Sequence, residues 1–214
     1  MTEPRRSGES TARQQDTSRS GGAPDLLGLS TSLPLVLDLD GTLIKGDLLY
    51  LSLFSIVRRN PLIVVSCAAW LARGRAALKR QLALRQRIDW SRVELHQDVV
   101  ALAEREKAAG RRVVLATAAD ALLADRLASR LPWIDQVLAS DGEHNLKGVN
   151  KAELLRKTFP GGFIYAGDSA SDLAVWADAA GVITVNAREA VRTAAARLDR
   201  PTLHLPGRTT VAKS

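Results

Sequence analysis

From Leu33 onward, short apolar runs alternate with amphipathic stretches. Apolar runs closed by Gly, Asp or Asn suit buried strands, and apolar positions recurring every three or four residues suit helices. "PLVLDLD" at 34–40 reads as a strand. "VELHQDVVALAEREKAAG" at 93–110 reads as a helix ending at Gly110, with Val99, Leu102 and Ala103 on one face. "RRVVLATA" is a second strand, and "DALLADRLASRL" a helix with Asp120 as its N-cap. "DQVLAS" is a strand and "NKAELLRKTF" a helix; "GFIYAGD" is a strand and "SDLAVWADAAG" a helix closed by Gly181. "VITVN" and "AREAVRTAAARL" complete the alternation, with a last edge strand at Leu203–Leu205 before the tail frays. This rhythm predicts an α/β fold, a parallel sheet covered by helices on both faces.

Residues 47–92 break the rhythm. "DLLYLSLFSIV" and "PLIVVSCAAWLA" are apolar and helix-length, separated by "RRN" and Pro61. "RGRAALKRQLALRQRIDW" follows as a basic helix with Leu78 and Leu82 on one side. The expected organisation is therefore a core over 31–46 and 93–214, interrupted by a small all-helical cap over 47–92. Residues 1–30 are mostly Ser, Thr, Gly, Arg and Gln with few apolar anchors, and predict a disordered tail.

Composition narrows the setting. The 214 residues are 46% apolar, enough for one sizeable core. With 4 Trp, 2 Tyr and 3 Phe, that core must be mostly Leu, Val and Ala. The single cysteine, Cys67, excludes an internal disulfide and fits a reducing, cytoplasmic compartment. It lies in an apolar run and reads as inert core. The first residues lack the apolar segment of a secretory signal, and no apolar run is long enough to span a bilayer. The net charge is +7, and its placement says more than its size. Residues 45–95 hold ten Lys/Arg against three Asp/Glu, so the whole excess sits in the insertion. A localised basic field implies an anionic partner, or simply a solvated Arg-rich helix face.

In open parallel sheets, ligands bind beyond the carboxyl ends of the strands. Four groups of polar residues follow strand runs: Asp38 and Asp40 in "DLDGT", Thr117 after "VVLA", Lys151 at the start of a helix, and Asp168 and Asp172 in "GDSASD". Acids crowded at one end of a sheet require a cation. Oxygen ligands select magnesium, and His96, His144 and His204 are too scattered for a competing site. A lysine and a threonine beside the acids then suit an anion, which points to phosphoryl chemistry with a carboxylate nucleophile.

Asp38-Leu39-Asp40-Gly41-Thr42, Thr117, Lys151 and Gly167-Asp168-Ser169-Ala170-Ser171-Asp172 resemble, in order, the four motifs of the haloacid dehalogenase (HAD) superfamily, phosphatase branch. The resemblance spans residues 33–186 and implies a Rossmann-like core. The helical insertion is similar to the cap of the phosphoserine-phosphatase-like group. "RGRAALKR", "VVLATA", "VLASDG", "NLKG" and "YAGDSASDLAVW" resemble more closely the HAD domain fused to UbiA-type membrane prenyltransferases, of which this chain looks like a stand-alone version. The resemblance implies a phosphomonoester hydrolase in which Asp38 attacks phosphorus and forms an aspartyl-phosphate. Asp40 would protonate the leaving oxygen and then activate water, with its backbone carbonyl facing the metal. Thr117 would bind a phosphoryl oxygen, and Lys151 would offset the charge of Asp38 and the phosphate. Lys147, four residues earlier, is the rival for that role. Asp38, Asp40, Asp168 and Asp172 form the implied set around Mg2+. An acid at position 40 favours phosphatase over dehalogenase chemistry.

The implied substrate is a phosphorylated small molecule or a lipid (isoprenoid) phosphate. The basic residues beside Leu, Phe and Trp in the cap also suit peripheral contact with an anionic membrane. The alternative to an enzyme is a non-catalytic or regulatory partner of a membrane prenyltransferase. No nucleic-acid motif accompanies the basic segment, so a nucleic-acid partner is not expected.

Overall fold

The computed structural model describes residues 26–206. Its elements are β1 (Leu35–Leu37), α1 (Leu48–Val57), α2 (Ile63–Ala72), α3 (Arg75–Arg85), α4 (Gln97–Ala108), β2 (Val113–Asp120) and α5 (Ala121–Ala128). Then come β3 (Gln136–Ser140), α6 (Val149–Thr158), β4 (Ile164–Gly167), α7 (Leu173–Asp178), β5 (Gly181–Val185), α8 (Glu189–Ala196) and β6 (Thr202–Leu205).

The six strands form one parallel sheet in the order β3-β2-β1-β4-β5-β6. The α/β alternation read from the sequence is thus realised, including the last edge strand. Side chains alternate across the sheet as the pleat requires. Leu35, Leu37, Val113, Leu115, Ile164 and Ala166 pack into one apolar layer with α4 and α5. Val36, Val114, Ala116, Tyr165 and Val182 pack into the other with α6, α7 and α8. Strand order reverses between β1 and β4, which opens a crevice at their carboxyl ends. Leu37 lies opposite Leu115 on one side and Ala166 on the other. The residues that follow, Asp38 and Gly167-Asp168, therefore emerge side by side.

Three helices, α1 to α3, lie between β1 and α4. Asp47 caps α1 by accepting from the Leu49 N–H at 2.6 Å, and Gly74, with φ 114°, turns the chain into α3. Helix α2 contains no buried residue, so Cys67 is only half-buried and not the core residue expected.

Three local expectations are corrected. The helix expected from Val93 starts at Gln97, because 93–96 are held in extended form. Lys45 N–H donates to the Glu94 carbonyl, His96 N–H donates to the Leu43 carbonyl, and Leu95 pairs with Ile44. Gly181 does not close a helix; it opens β5, where an added Cβ would lie 2.7 Å from Leu29 and 2.9 Å from Leu27. Finally, the tail expected over 1–30 falls partly outside the described residues, but 26–30 are packed. Leu26 is buried, and the buried Arg111 donates to the carbonyls of Leu29 (3.0 Å), Ser30 (2.7 Å) and Leu33 (2.7 Å) while its Nε donates to Glu106 at 2.9 Å. An arginine with that many partners supplies the anchors that composition did not reveal.

Candidate active site

The chain leaves β1 through a tight turn. Asp38 N–H donates to the Ala166 carbonyl at 2.9 Å, and the Leu39 carbonyl accepts from Thr42, Leu43 and Ile44. Gly41 sits inside this turn with φ 77°, and an added Cβ would lie 2.4 Å from Asp168 Oδ2. Only glycine satisfies both the backbone conformation and the approach.

Helix α6 delivers Lys151 from across the switch point. Its buried Nζ donates to Asp38 Oδ1 at 2.7 Å and to the Tyr165 hydroxyl at 2.8 Å. Tyr165 in turn donates to Asp172 Oδ1 at 2.9 Å. The other Asp172 oxygen accepts from Asp168 N–H (3.2 Å), Ser169 N–H (3.1 Å) and the Ser169 hydroxyl (3.2 Å). Asp172 thereby holds the 168–172 turn in shape, and Gly167 makes room, since a Cβ there would lie 2.6 Å from Asp172 Cγ. Asp38, Asp168 and Asp172 each offer a carboxylate oxygen, all within 4.8 Å of one another.

Three carboxylates this close disfavour one another's ionisation. Burial raises the Asp38 carboxyl above its ordinary range, with Lys151 opposing and Asp172 reinforcing. Asp168 is pushed up to about 6, first by burial and then by Asp172 and Asp38. A divalent cation would relieve this strain, and an all-oxygen donor set fits a hard one. Among the described residues, Asp38, Asp168 and Asp172 could therefore hold such an ion.

Asp40 lies apart from that cluster. Its Oδ1 accepts the Leu48 N–H at the start of α1 at 2.8 Å. Burial pushes its carboxyl up to about 7, with the Leu48 N–H opposing and Asp47 and Asp38 adding to the rise. A carboxyl with that value exchanges a proton near neutral pH. The Asp40 carboxylate is not among the acids whose oxygens cluster closely enough to share a metal ion.

These groups open into a cavity of about 530 Å³ lined by Asp38, Asp40, Lys151, Asp168 and the cap. Thr117 is fully buried and does not line it; its hydroxyl accepts the Ala119 N–H at 2.9 Å, and Ala118, Ala119 and Asp120 form that wall. Lys147 lines the cavity, whereas the ammonium on Asp38 belongs to Lys151.

Two contributors escaped the sequence reading. Tyr165 is a strand residue in the apolar run "GFIYAGD", where nothing marks its hydroxyl as the bridge between Lys151 and Asp172. Lys79 reads as one more surface cation of the basic helix. In the structure its Nζ crosses from the cap to donate to the Ala118 carbonyl at 2.5 Å and to Asn145 at 2.9 Å. Burial holds its ammonium below the usual lysine value. The detectable signal was the absence of any acid between Asp47 and Asp89, which leaves the cap's cations to find partners elsewhere.

Residues 35–176 match the haloacid dehalogenase-like hydrolase family. The chain belongs to that family. Among curated proteins, it is 40% identical over 161 residues to the uncharacterized protein y4nM of Sinorhizobium fredii (strain NBRC 101917 / NGR234). That match covers 75% of this chain but only 31% of y4nM, so the chain spans about a third of its relative. A protein of unknown function from Bordetella pertussis Tohama I superposes with a TM-score of 0.63 at 16% identity, over 81% of this chain and 99% of its own. A phosphoserine phosphatase solved as a phospho-aspartyl intermediate analogue superposes with a TM-score of 0.55 at 16% identity, over 82% of this chain and 94% of its own. At such identities the likeness concerns the fold, which this HAD chain shares with both.

Proposed function

We propose that this HAD hydrolase is a magnesium-dependent phosphomonoester phosphatase working through an aspartyl-phosphate on Asp38. The observation that carries the reading is the pairing of Asp38 with Lys151 at 2.7 Å, beside Asp168 and Asp172 and two residues before a carboxyl poised near 7. The family fold and its likeness to a phosphoserine phosphatase trapped as a phospho-aspartyl analogue support it.

Magnesium, held by Asp38, Asp168 and the Asp40 carbonyl with Asp172 in support, would supply positive charge for the phosphate oxygens. The chain's own groups do the rest. Lys151 holds one Asp38 oxygen and leaves the other free to attack phosphorus. The new bond is Asp38 O–P; the bond that breaks joins phosphorus to the ester oxygen. Protonated Asp40 gives its proton to that departing oxygen, releasing the alcohol. The resulting Asp40 carboxylate then takes a proton from water, whose oxygen attacks the aspartyl-phosphate. The Asp38 O–P bond breaks, inorganic phosphate forms, and both acids return to their starting states. Thr117 would first have to turn its hydroxyl from the Ala119 N–H into the cavity to donate to a phosphoryl oxygen. Preorganised positive charge around a loose transition state is what this chemistry needs.

The cavity wall favours an ester with an apolar portion. The cap contributes Leu49, Tyr50, Leu71 and Leu78 alongside Arg75 and Lys79. A phosphorylated small molecule or an isoprenoid lipid phosphate meets that description, and the lipid case brings the basic cap to a membrane surface.

The test is phosphate release from p-nitrophenyl phosphate with magnesium or EDTA, for the wild type and Asp38→Asn. Release that requires magnesium and falls by at least about a thousandfold in the variant is expected. Absence of release from any phosphate ester in a broad panel would favour a non-catalytic partner role instead.

A further inference from the structure

Eight of the ten exposed large apolar side chains among the described residues lie between Tyr50 and Leu84. On α1, Tyr50 and Phe54 are 70% and 67% exposed and stand one helical step apart. On the α1–α2 connection and α2, Leu62 and Val65 are 78% and 75% exposed. Isolated surface leucines need no explanation, but a concentration of exposed large apolar side chains on two successive helices does.

The charge around this face is of one sign. From residue 48 to residue 88 the sequence contains no Asp or Glu and eight Lys or Arg. Arg58 and Arg59 end α1 and Arg73 ends α2, all exposed. The ion pairs of the described residues include none of these three arginines.

We infer that the α1–α2 face of the cap docks on an anionic lipid bilayer. A bilayer offers an apolar layer for Phe54, Leu62 and Val65 and a phosphate layer above it for the arginines that end the two helices. A second copy of the chain fits poorly, because it would bring like charges together without an acid to separate them. No described helix is long and apolar enough to cross a membrane, so the contact is peripheral. Tyr50, Leu71 and Arg75 also line the cavity, so docking would bring the cavity mouth to the headgroup layer. That last consequence, access to a lipid phosphate, rests on the phosphatase reading; docking itself does not.

The experiment is flotation of the full chain with vesicles of phosphatidylcholine alone or with phosphatidylglycerol added, at low and high salt. The expected result is binding to the anionic vesicles only, reversed by salt. Arg58→Gln/Arg59→Gln should weaken it about 30-fold, from about fivefold per arginine. Phe54→Glu/Val65→Glu should abolish it. Neither pair lines the cavity, so turnover of p-nitrophenyl phosphate and the thermal melt serve as controls for folding. If the glutamate pair does not fold, the glutamine pair carries the test. Asp38→Asn should bind vesicles like the wild type, which separates failure of docking from failure of the phosphatase reading. No binding to anionic vesicles overturns the inference, as does binding that both variant pairs retain. Concentration-dependent dimerisation lost in the glutamate pair, without vesicle binding, would assign the face to a second copy.

Discussion

Replacing Lys151 by Met tests the electrostatic core of the site. The ammonium is buried and lies 2.7 Å from Asp38 Oδ1. At an effective dielectric near 20, that attraction is about 6 kcal/mol, and a carboxylate pair at the 4.8 Å limit of the cluster repels by about 3.5 kcal/mol. Lysine therefore offsets most of the repulsion Asp38 feels from Asp168 and Asp172. Methionine keeps the apolar stem and deletes the charge, so a loss reflects electrostatics and not a cavity. Breaking a buried pair from one side costs about 3–5 kcal/mol. At about 2–4 °C per kcal/mol for a chain of this size, the melting temperature in EDTA should fall by about 10 °C. Magnesium should then raise the melting temperature more in the variant than in the wild type, because the ion meets a less compensated cluster. In an Asp38→Asn background, Lys151→Met should cost much less, since both partners are then neutral. Turnover should fall by about 10²–10³-fold. Differential scanning fluorimetry with and without magnesium reads all the stability terms. A drop below about 3 °C in EDTA, or an equal magnesium shift in both proteins, would refute the claim that Lys151 balances the acid cluster.

Other perturbations address separate parts of the structure. Gly41→Ala forces a Cβ against Asp168 Oδ2, so magnesium affinity measured by calorimetry should fall by about 10–100-fold; unchanged affinity would remove Asp168 from the site. The Asp40 carboxyl, raised from 3.8 to about 7, keeps a proton in the folded state that the unfolded chain has already lost, so its stabilisation is full below about pH 4 and gone above about pH 7. Urea melts in EDTA should show the wild type weaker at about pH 8 than at about pH 5, and Asp40→Asn should shrink the difference by about 2.5 kcal/mol. Arg111→Met leaves Glu106 buried without its closest cation and frees three carbonyls, so chemical denaturation should show a loss of about 4 kcal/mol or more; a loss below about 1 kcal/mol would mean the 26–33 segment is held by its leucines alone.

How far the sequence disclosed this arrangement depends on where each signal resides. The sheet was legible because buried parallel strands need continuous apolar runs, and "LVL", "VVLA" and "FIYA" have few other uses. The acids were legible because each follows such a run, and the switch point turns strand ends into neighbours. Local conformation set by distant partners was not. Residues 93–96 look helical until Leu43 and Lys45 supply extended partners. Gly181 looks like a helix stop until Leu27 and Leu29 press on β5. Thr117 was legible as a residue but not as a conformation, since its hydroxyl faces the turn that follows it. Tyr165 and Lys79 act through reach across the fold, which no periodicity encodes.

The cap has two unlike sides. Its inner side is fastened to the chemistry at three points: Leu48 N–H on Asp40, Lys79 on the Ala118 carbonyl and Asn145, and Arg80 on Asp120 at 3.1 Å. Each fastening starts on α1 or α3 and ends on a residue lining the cavity or flanking it. Helix α2 has no such anchor and no buried side chain, yet it carries Val64, Val65 and Leu71 to the surface. A helix kept only to complete a small core would bury its apolar residues, and this one leaves them outside. On the proposed phosphatase reading, α1 and α3 address the phosphate side of the cavity, while α2 and the outer ridge of α1 address whatever lies beyond its mouth. A substrate whose phosphate enters the cavity while its apolar part remains in a lipid layer uses both sides at once. A small polar ester uses only the first and leaves α2 without a reason to be apolar.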